Sequence, residues 1–169
     1  MRIFLTGFMG SGKTTLGKKL AAKLGYTFID LDHVFEEREQ LTITEYFKTY
    51  GEKRFREQES ILIKTAIYPQ NAVVSTGGGA PCYFDNMEWM NANGTTVYIQ
   101  LPPRVLAHRL EHDSNQRPVL MDKQGDALVA FIEDKLKDRE PFYQKAQITA
   151  NGIGLTAEKL WRTIEERSA

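Results

Sequence analysis

Gly7-Phe8-Met9-Gly10-Ser11-Gly12-Lys13-Thr14 has the residue types and spacing that phosphate binding requires. Glycines let the backbone curl until its N–H groups face one point, and a following helix adds the positive end of its dipole. Lys13 then bridges the β- and γ-phosphates, and the Thr14 hydroxyl can ligate Mg²⁺. Gly10, Ser11, Gly12, Lys13, Thr14 and Thr15 are therefore the expected nucleotide-binding residues. No Asn-Lys-x-Asp segment reads a guanine base, and the switch-like Asp122-Lys-Gln-Gly125 follows a polar stretch instead of a strand, so ATP is preferred over GTP.

Further chemistry-bearing residues lie along the chain. Asp30-Leu31-Asp32 closes a strand-like run, where alternation would turn both carboxylates to one side. One could then help hold hydrated Mg²⁺ while the other meets an acceptor hydroxyl, or both simply end a strand. In a helical run from Glu52 to Ile67, Phe55, Leu62, Ile63, Ala66 and Ile67 form an apolar arc that also contains Arg56 and Glu59. An arginine there presents a planar fork to a carboxylate, or else forms a structural ion pair with Glu59. The same helical spacing sets Arg139 on the face of Leu128, Phe131, Ile132 and Leu136, where it either meets an anion or reaches solvent at the helix end. Ser75-Thr76-Gly77-Gly78-Gly79 follows another strand candidate, and its glycines permit close approach to a ligand.

The elements that must position these residues follow from periodicity. Ile3–Leu5, Phe28–Leu31, Ala72–Val74, Val97–Leu101 and Gln147–Ala150 read as short strands separated by helical stretches. That rhythm predicts α/β architecture, a mainly parallel sheet covered on both faces. Leu16, Leu20 and Leu24 form the stripe of the first helix, which Gly25 stops. Thr42 with Glu45 reads as a capping box, and Gly51 divides two helical pieces. From about 112 to 124 all period is lost, which predicts a mobile lid.

The chain has 169 residues, enough for one domain spanning 1–169. Lys+Arg and Asp+Glu both number 22, so no global charge draws it to nucleic acid or an anionic membrane. Its single cysteine, Cys82, has no charged sequence neighbour and reads as a packing residue. No stretch resembles a signal peptide or membrane span, which points to the cytoplasm.

Together, Gly7–Thr14, Asp30-Leu-Asp32, Gly51-Glu-Lys-Arg-Phe-Arg56-Glu-Gln-Glu59, Gly77-Gly-Gly79, Arg117-Pro-Val-Leu120 and Arg139-Glu-Pro-Phe-Tyr143 resemble the shikimate kinase family, in order from residue 3 to about 143. The resemblance implies a three-layer α/β/α P-loop fold of the nucleoside-monophosphate-kinase type, with five parallel strands and a lid. It also implies transfer of phosphate from ATP to the 3-hydroxyl of shikimate, a step of chorismate and aromatic amino-acid synthesis, by a monomer. By position, Asp32 would bind the ring hydroxyls, Arg56 and Arg139 the carboxylate, and Gly78 a further hydroxyl, with Glu59, Gly77 and Gly79 completing the pocket between acceptor helices spanning about 33–67. Asp30 and Thr14 would serve Mg²⁺, Arg117 would reach the phosphates from the lid, and Arg109 would stack on adenine. The proline that the family commonly carries after the last strand has no counterpart in Asn151-Gly-Ile-Gly-Leu155. Lys13, Mg²⁺ and Arg117 would stabilise the transferring group, with Asp32 as base or positioner of the hydroxyl.

Overall fold

The computed structural model describes residues 1–112 and 123–169. Five strands, β1 (Arg2–Thr6), β2 (Thr27–Asp30), β3 (Ala72–Ser75), β4 (Thr95–Gln100) and β5 (Ile148–Asn151), form one sheet in the order β2-β3-β1-β4-β5. Every neighbouring pair is parallel. Parallel pairing needs crossovers, and helices supply them: α1 (Lys13–Leu24), α2 (Leu31–Glu39), α3 (Ile43–Tyr50), α4 (Glu52–Thr65), α5 (Asn86–Asn93), α6 (Pro103–Glu111) and α7 (Gly125–Tyr143), while α8 (Ala157–Ser168) follows β5.

Alternation along β1 divides the core. Ile3 and Leu5 pack with Leu16, Leu20 and Ala21 of α1 and with Leu160 and Ile164 of α8 on one face. Phe4 turns to the other face and meets Ile63 of α4 and Met87 and Met90 of α5. A central strand buried on both sides reads as an unbroken apolar run, which is why Ile3-Phe4-Leu5 stood out in the sequence. A third cluster joins Phe8 to Leu106 and Ala107 of α6 and to Leu128, Val129 and Ile132 of α7, tying the glycine loop to the helices beside it. Among the described residues, no helix is long and apolar enough to cross a membrane.

Three expectations need correction. Leu31 does not end β2 but opens α2, because the Asp30 carboxylate accepts the backbone N–H groups of Asp32 (3.0 Å) and His33 (3.4 Å) and so starts a helix there. Asp30 and Asp32 consequently do not share a strand face: Asp30 caps α2, and Asp32 lies in its first turn. Ile67 is 94% exposed, since α4 ends at Thr65 and Ala66 is extended. The Thr42–Glu45 capping box and the Gly51 break, with φ 84°, occur as read.

Candidate active site

The glycine loop stands between the end of β1 and the start of α1, at the C-terminal edge of the sheet where open parallel sheets bind ligands. Gly12 caps α1 with φ 94°, a left-handed setting that favours glycine. At Gly7, with φ 147°, a Cβ would lie 2.8 Å from the Ile99 carbonyl oxygen, so backbone crowding also demands glycine. Lys13, though buried, keeps its ammonium on polar atoms by donating to the Gly7 (2.7 Å) and Phe8 (3.0 Å) carbonyls. Thr14 and Thr15 open onto a cavity also lined by Gly10, Gly12, Lys13, Asp30, Asp32, Gly78 and Arg109. Arg109 reaches it from α6, its Nη1 donating to the Ser11 carbonyl (3.3 Å).

Two oxygen-bearing side chains face each other beside that loop. The Thr14 hydroxyl donates to Asp30 Oδ2 at 3.4 Å, while Oδ1 of the same carboxylate caps α2. Mg²⁺ takes few protein oxygens and fills its remaining positions with water and phosphate, so a hydroxyl with one carboxylate suits it. No larger cluster of His, Cys, Asp and Glu fit for a metal occurs among the described residues.

The acceptor side is built differently. Arg56 and Glu59, both buried, point from α4 and pair through Nη1 and Oε1 at 3.0 Å. Each of the three consecutive glycines abuts a different part of this charged group. A Cβ on Gly77 would sit 2.9 Å from Asp32 Oδ1 and 3.1 Å from Glu59 Oε2. On Gly78 it would meet Arg139 Nη1 at 3.4 Å, and on Gly79 it would press on Arg56 Nη2 at 2.6 Å. Arg139 projects from α7 with its guanidinium carbon 5.4 Å from the centre of the Phe8 ring, so the acceptor side touches the glycine loop.

Two buried nitrogens in this group, Arg56 Nε and Arg139 Nη1, have no hydrogen-bond partner among the described residues. Glu52 Oε1 stands 3.7 Å from Arg56 Nε, close enough for ionic attraction but too far for a hydrogen bond. Buried guanidinium donors left open are costly, and an anionic ligand with two oxygens is the chemistry that would satisfy two of them. Burial lifts the Glu59 carboxyl to about 7, with Asp32 adding to the rise and Arg56 opposing it.

Comparisons with known proteins agree with this geometry. The family model described as Shikimate kinase matches residues 9–167. The chain belongs to the shikimate kinase family. A shikimate kinase of Parabacteroides distasonis is 49% identical over 157 residues, 93% of this chain and 91% of that protein. The crystal structure of shikimate kinase from Bacteroides thetaiotaomicron superposes with a TM-score of 0.93 at 46% identity, covering 98% of both chains. Shikimate kinase from Acinetobacter baumannii in complex with shikimate gives 0.85 at 32% identity, covering 98% of this chain and 93% of that one.

Within this family fold, Asp32, Arg56, Glu59, Gly77, Gly78, Gly79 and Arg139 come together as one group, and Thr14, Asp30 and Arg109 gather around the glycine loop. Arg117 and most of the expected lid lie outside the described residues. Cys82 differs from its reading in one respect: Arg139, Arg56 and Glu59 are close enough to act on it electrostatically, yet burial still pushes the thiol up to about 11, which keeps it protonated near neutrality. Sequence reasoning missed two tyrosines. The Tyr143 hydroxyl donates to the Gly78 carbonyl, and its ring stacks on Tyr98 at 4.9 Å, fixing the glycine turn against α7. Tyr83 lies over Arg56 with 4.4 Å between ring centre and guanidinium carbon. The first sat in the quoted Arg139–Tyr143 motif, four residues and so one helical turn after Arg139, and that spacing was its available signal.

Proposed function

We propose that this chain transfers the γ-phosphoryl group of ATP to the 3-hydroxyl of shikimate, giving 3-phosphoshikimate and ADP for chorismate and aromatic amino-acid synthesis. The observation that carries the reading is the pair of open buried donors, Arg56 Nε and Arg139 Nη1, beside a P-loop in a chain of this family. A neutral sugar would offer these two charged donors only neutral hydroxyl acceptors, whereas a carboxylate gives each a charged one and a stronger hydrogen bond.

The chemistry asks chiefly for alignment and for charge facing the transferring group. Lys13 lies across the glycine loop, and its ammonium is the charge that would move onto the β- and γ-phosphates. Thr14 and Asp30 would hold Mg²⁺, which when bound neutralises phosphate charge. Arg56 and Arg139 would fix the acceptor by its carboxylate, Glu59 would hold Arg56 in place, and Asp32 would receive the nucleophilic hydroxyl and orient it. Arg117, outside the described residues, would add charge at the phosphates in this reading, and Arg109 would contact the base. The enzyme acts as a cytoplasmic monomer.

A coupled assay for ADP against shikimate, quinate, gluconate and AMP tests the proposal. Release dependent on shikimate is expected; equal or faster turnover of gluconate or AMP would contradict it.

A further inference from the structure

Arg56 carries the acceptor reading, yet its two carboxylate neighbours, Glu52 and Glu59, belong to its own helix. A long side chain tethered only to its own helix keeps much rotational freedom, which an incoming ligand must then remove. The restraint from elsewhere comes through the segment after the three glycines. Tyr83 covers the guanidinium at 4.4 Å, and its hydroxyl donates to Glu52 Oε1 at 3.1 Å, the same oxygen that stands 3.7 Å from Arg56 Nε. Gly79, at the start of this segment, leaves room for the guanidinium that any Cβ would take.

The segment is itself rigidly held. The Cys82 N–H donates to the Gly79 carbonyl (3.0 Å), and the Asn86 N–H to the Tyr83 carbonyl (3.2 Å). Asn86 is fully buried; its amide donates to the Ala80 carbonyl (2.8 Å) and accepts from the Ser60 hydroxyl of α4 (2.6 Å). Directly after Tyr83, Phe84 takes φ 50° and is 62% exposed. A bulky residue in the left-handed region, with its ring in water, is costly twice over, and the turn that accepts both costs is the one that carries Tyr83 over Arg56.

We infer that Tyr83 is a positioning residue that acts through Arg56: its ring stacks on the guanidinium and sets it, before the acceptor arrives, for capture of the acceptor carboxylate. The inference rests on the acceptor reading proposed above. A guanidinium is planar and weakly hydrated, so an aromatic face holds it in orientation without consuming a hydrogen-bond donor, which leaves Nε open.

Steady-state kinetics of the full chain with Tyr83→Phe, Tyr83→Leu and Tyr83→Met test this, with thermal unfolding measured alongside. Leu and Met should raise the KM for shikimate roughly five- to tenfold, with kcat and the KM for ATP within about twofold of wild type. Phe retains the ring and should restore the wild-type KM. With a shikimate analogue carrying an alcohol in place of the carboxylate, all four enzymes should bind alike. An unchanged shikimate KM in both Leu and Met, or an equal loss towards the alcohol analogue, would overturn the role of Tyr83. A wild type that released no ADP with shikimate would instead overturn the acceptor reading beneath it. Should Leu fail to fold, Met against Phe decides the matter by the same KM ratio.

Discussion

The two glycine-rich loops of this protein obey opposite rules. In the nucleotide loop Gly7, Gly10 and Gly12 all have positive φ, and the obstacle to a side chain at Gly7 is a backbone carbonyl. In the acceptor loop none of Gly77, Gly78 and Gly79 has positive φ, and the obstacles at Gly77 and Gly79 are the charged ends of Asp32, Glu59 and Arg56. One loop needs glycine for the shape of its own chain, which would let N–H groups converge on a phosphate. The other needs glycine to make room for side chains that arrive from α2, α4 and α7. In the proposed reading the first loop would recognise a ligand common to many enzymes, and the second would build the pocket that distinguishes one acceptor from another.

Removing charge from the nucleotide loop should have the largest effect. Lys13→Ala should lower turnover by at least a hundredfold while the thermal midpoint stays within a few degrees, because in the proposed mechanism the lost group would stabilise the transferring phosphoryl. Turnover within a few-fold of wild type would dissolve the assignment of that loop.

A matched pair of glycine changes contrasts the loops directly. Gly7→Ala forces a Cβ to within 2.8 Å of the Ile99 carbonyl at φ 147°, and should destabilise the fold by about 1–3 kcal/mol in denaturant unfolding. Gly79→Ala displaces only the far end of Arg56, so the fold should hold while the KM for shikimate rises on the order of tenfold and that for ATP stays. If both changes harmed stability equally, the two loops would not differ as described.

Tyr143→Phe removes the donor to the Gly78 carbonyl and should cost about 1 kcal/mol of stability, with a modest rise in the KM for shikimate. A further effect concerns pH. Glu59 is raised from 4.5 to about 7, so the native state holds this proton more tightly than the unfolded chain does. The stability this group confers is therefore present in full below about 4.5 and declines as pH rises through about 7. Glu59→Gln should flatten that decline in unfolding measured across the same range; an unaltered slope would assign it to other groups.

The loops also differ in how legibly the sequence carries them. The nucleotide loop is local, its parts being adjacent in sequence and framed by a strand and a helix, so spacing alone revealed it. The arginines on α4 and α7 were visible as charges on apolar arcs, but their meeting point depends on the packing of separate helices, which periodicity cannot convey. Asp30 was misjudged because Phe28–Leu31 reads as one apolar strand, while the competing signal, an Asp able to cap its own following turn, went unused. Ile67 looked apolar and in phase, yet its helix had already ended. Tyr83 carried no periodic signal, because it sits in a turn whose direction is set by Phe84 and the buried Asn86.

Calorimetric titration decides whether Arg56 and Arg139 hold one carboxylate. Shikimate and its alcohol analogue are titrated into wild type, Arg56→Lys and Arg139→Lys. An ammonium cannot reproduce the fork, so each substitution should cost about 2 kcal/mol or more in shikimate binding and scarcely alter ATP binding. The alcohol analogue should bind wild type poorly, and the variants little worse. Wild type binding the alcohol analogue as tightly as shikimate would contradict the clamp, return both arginines to structural ion pairs, and leave the acceptor to be sought elsewhere.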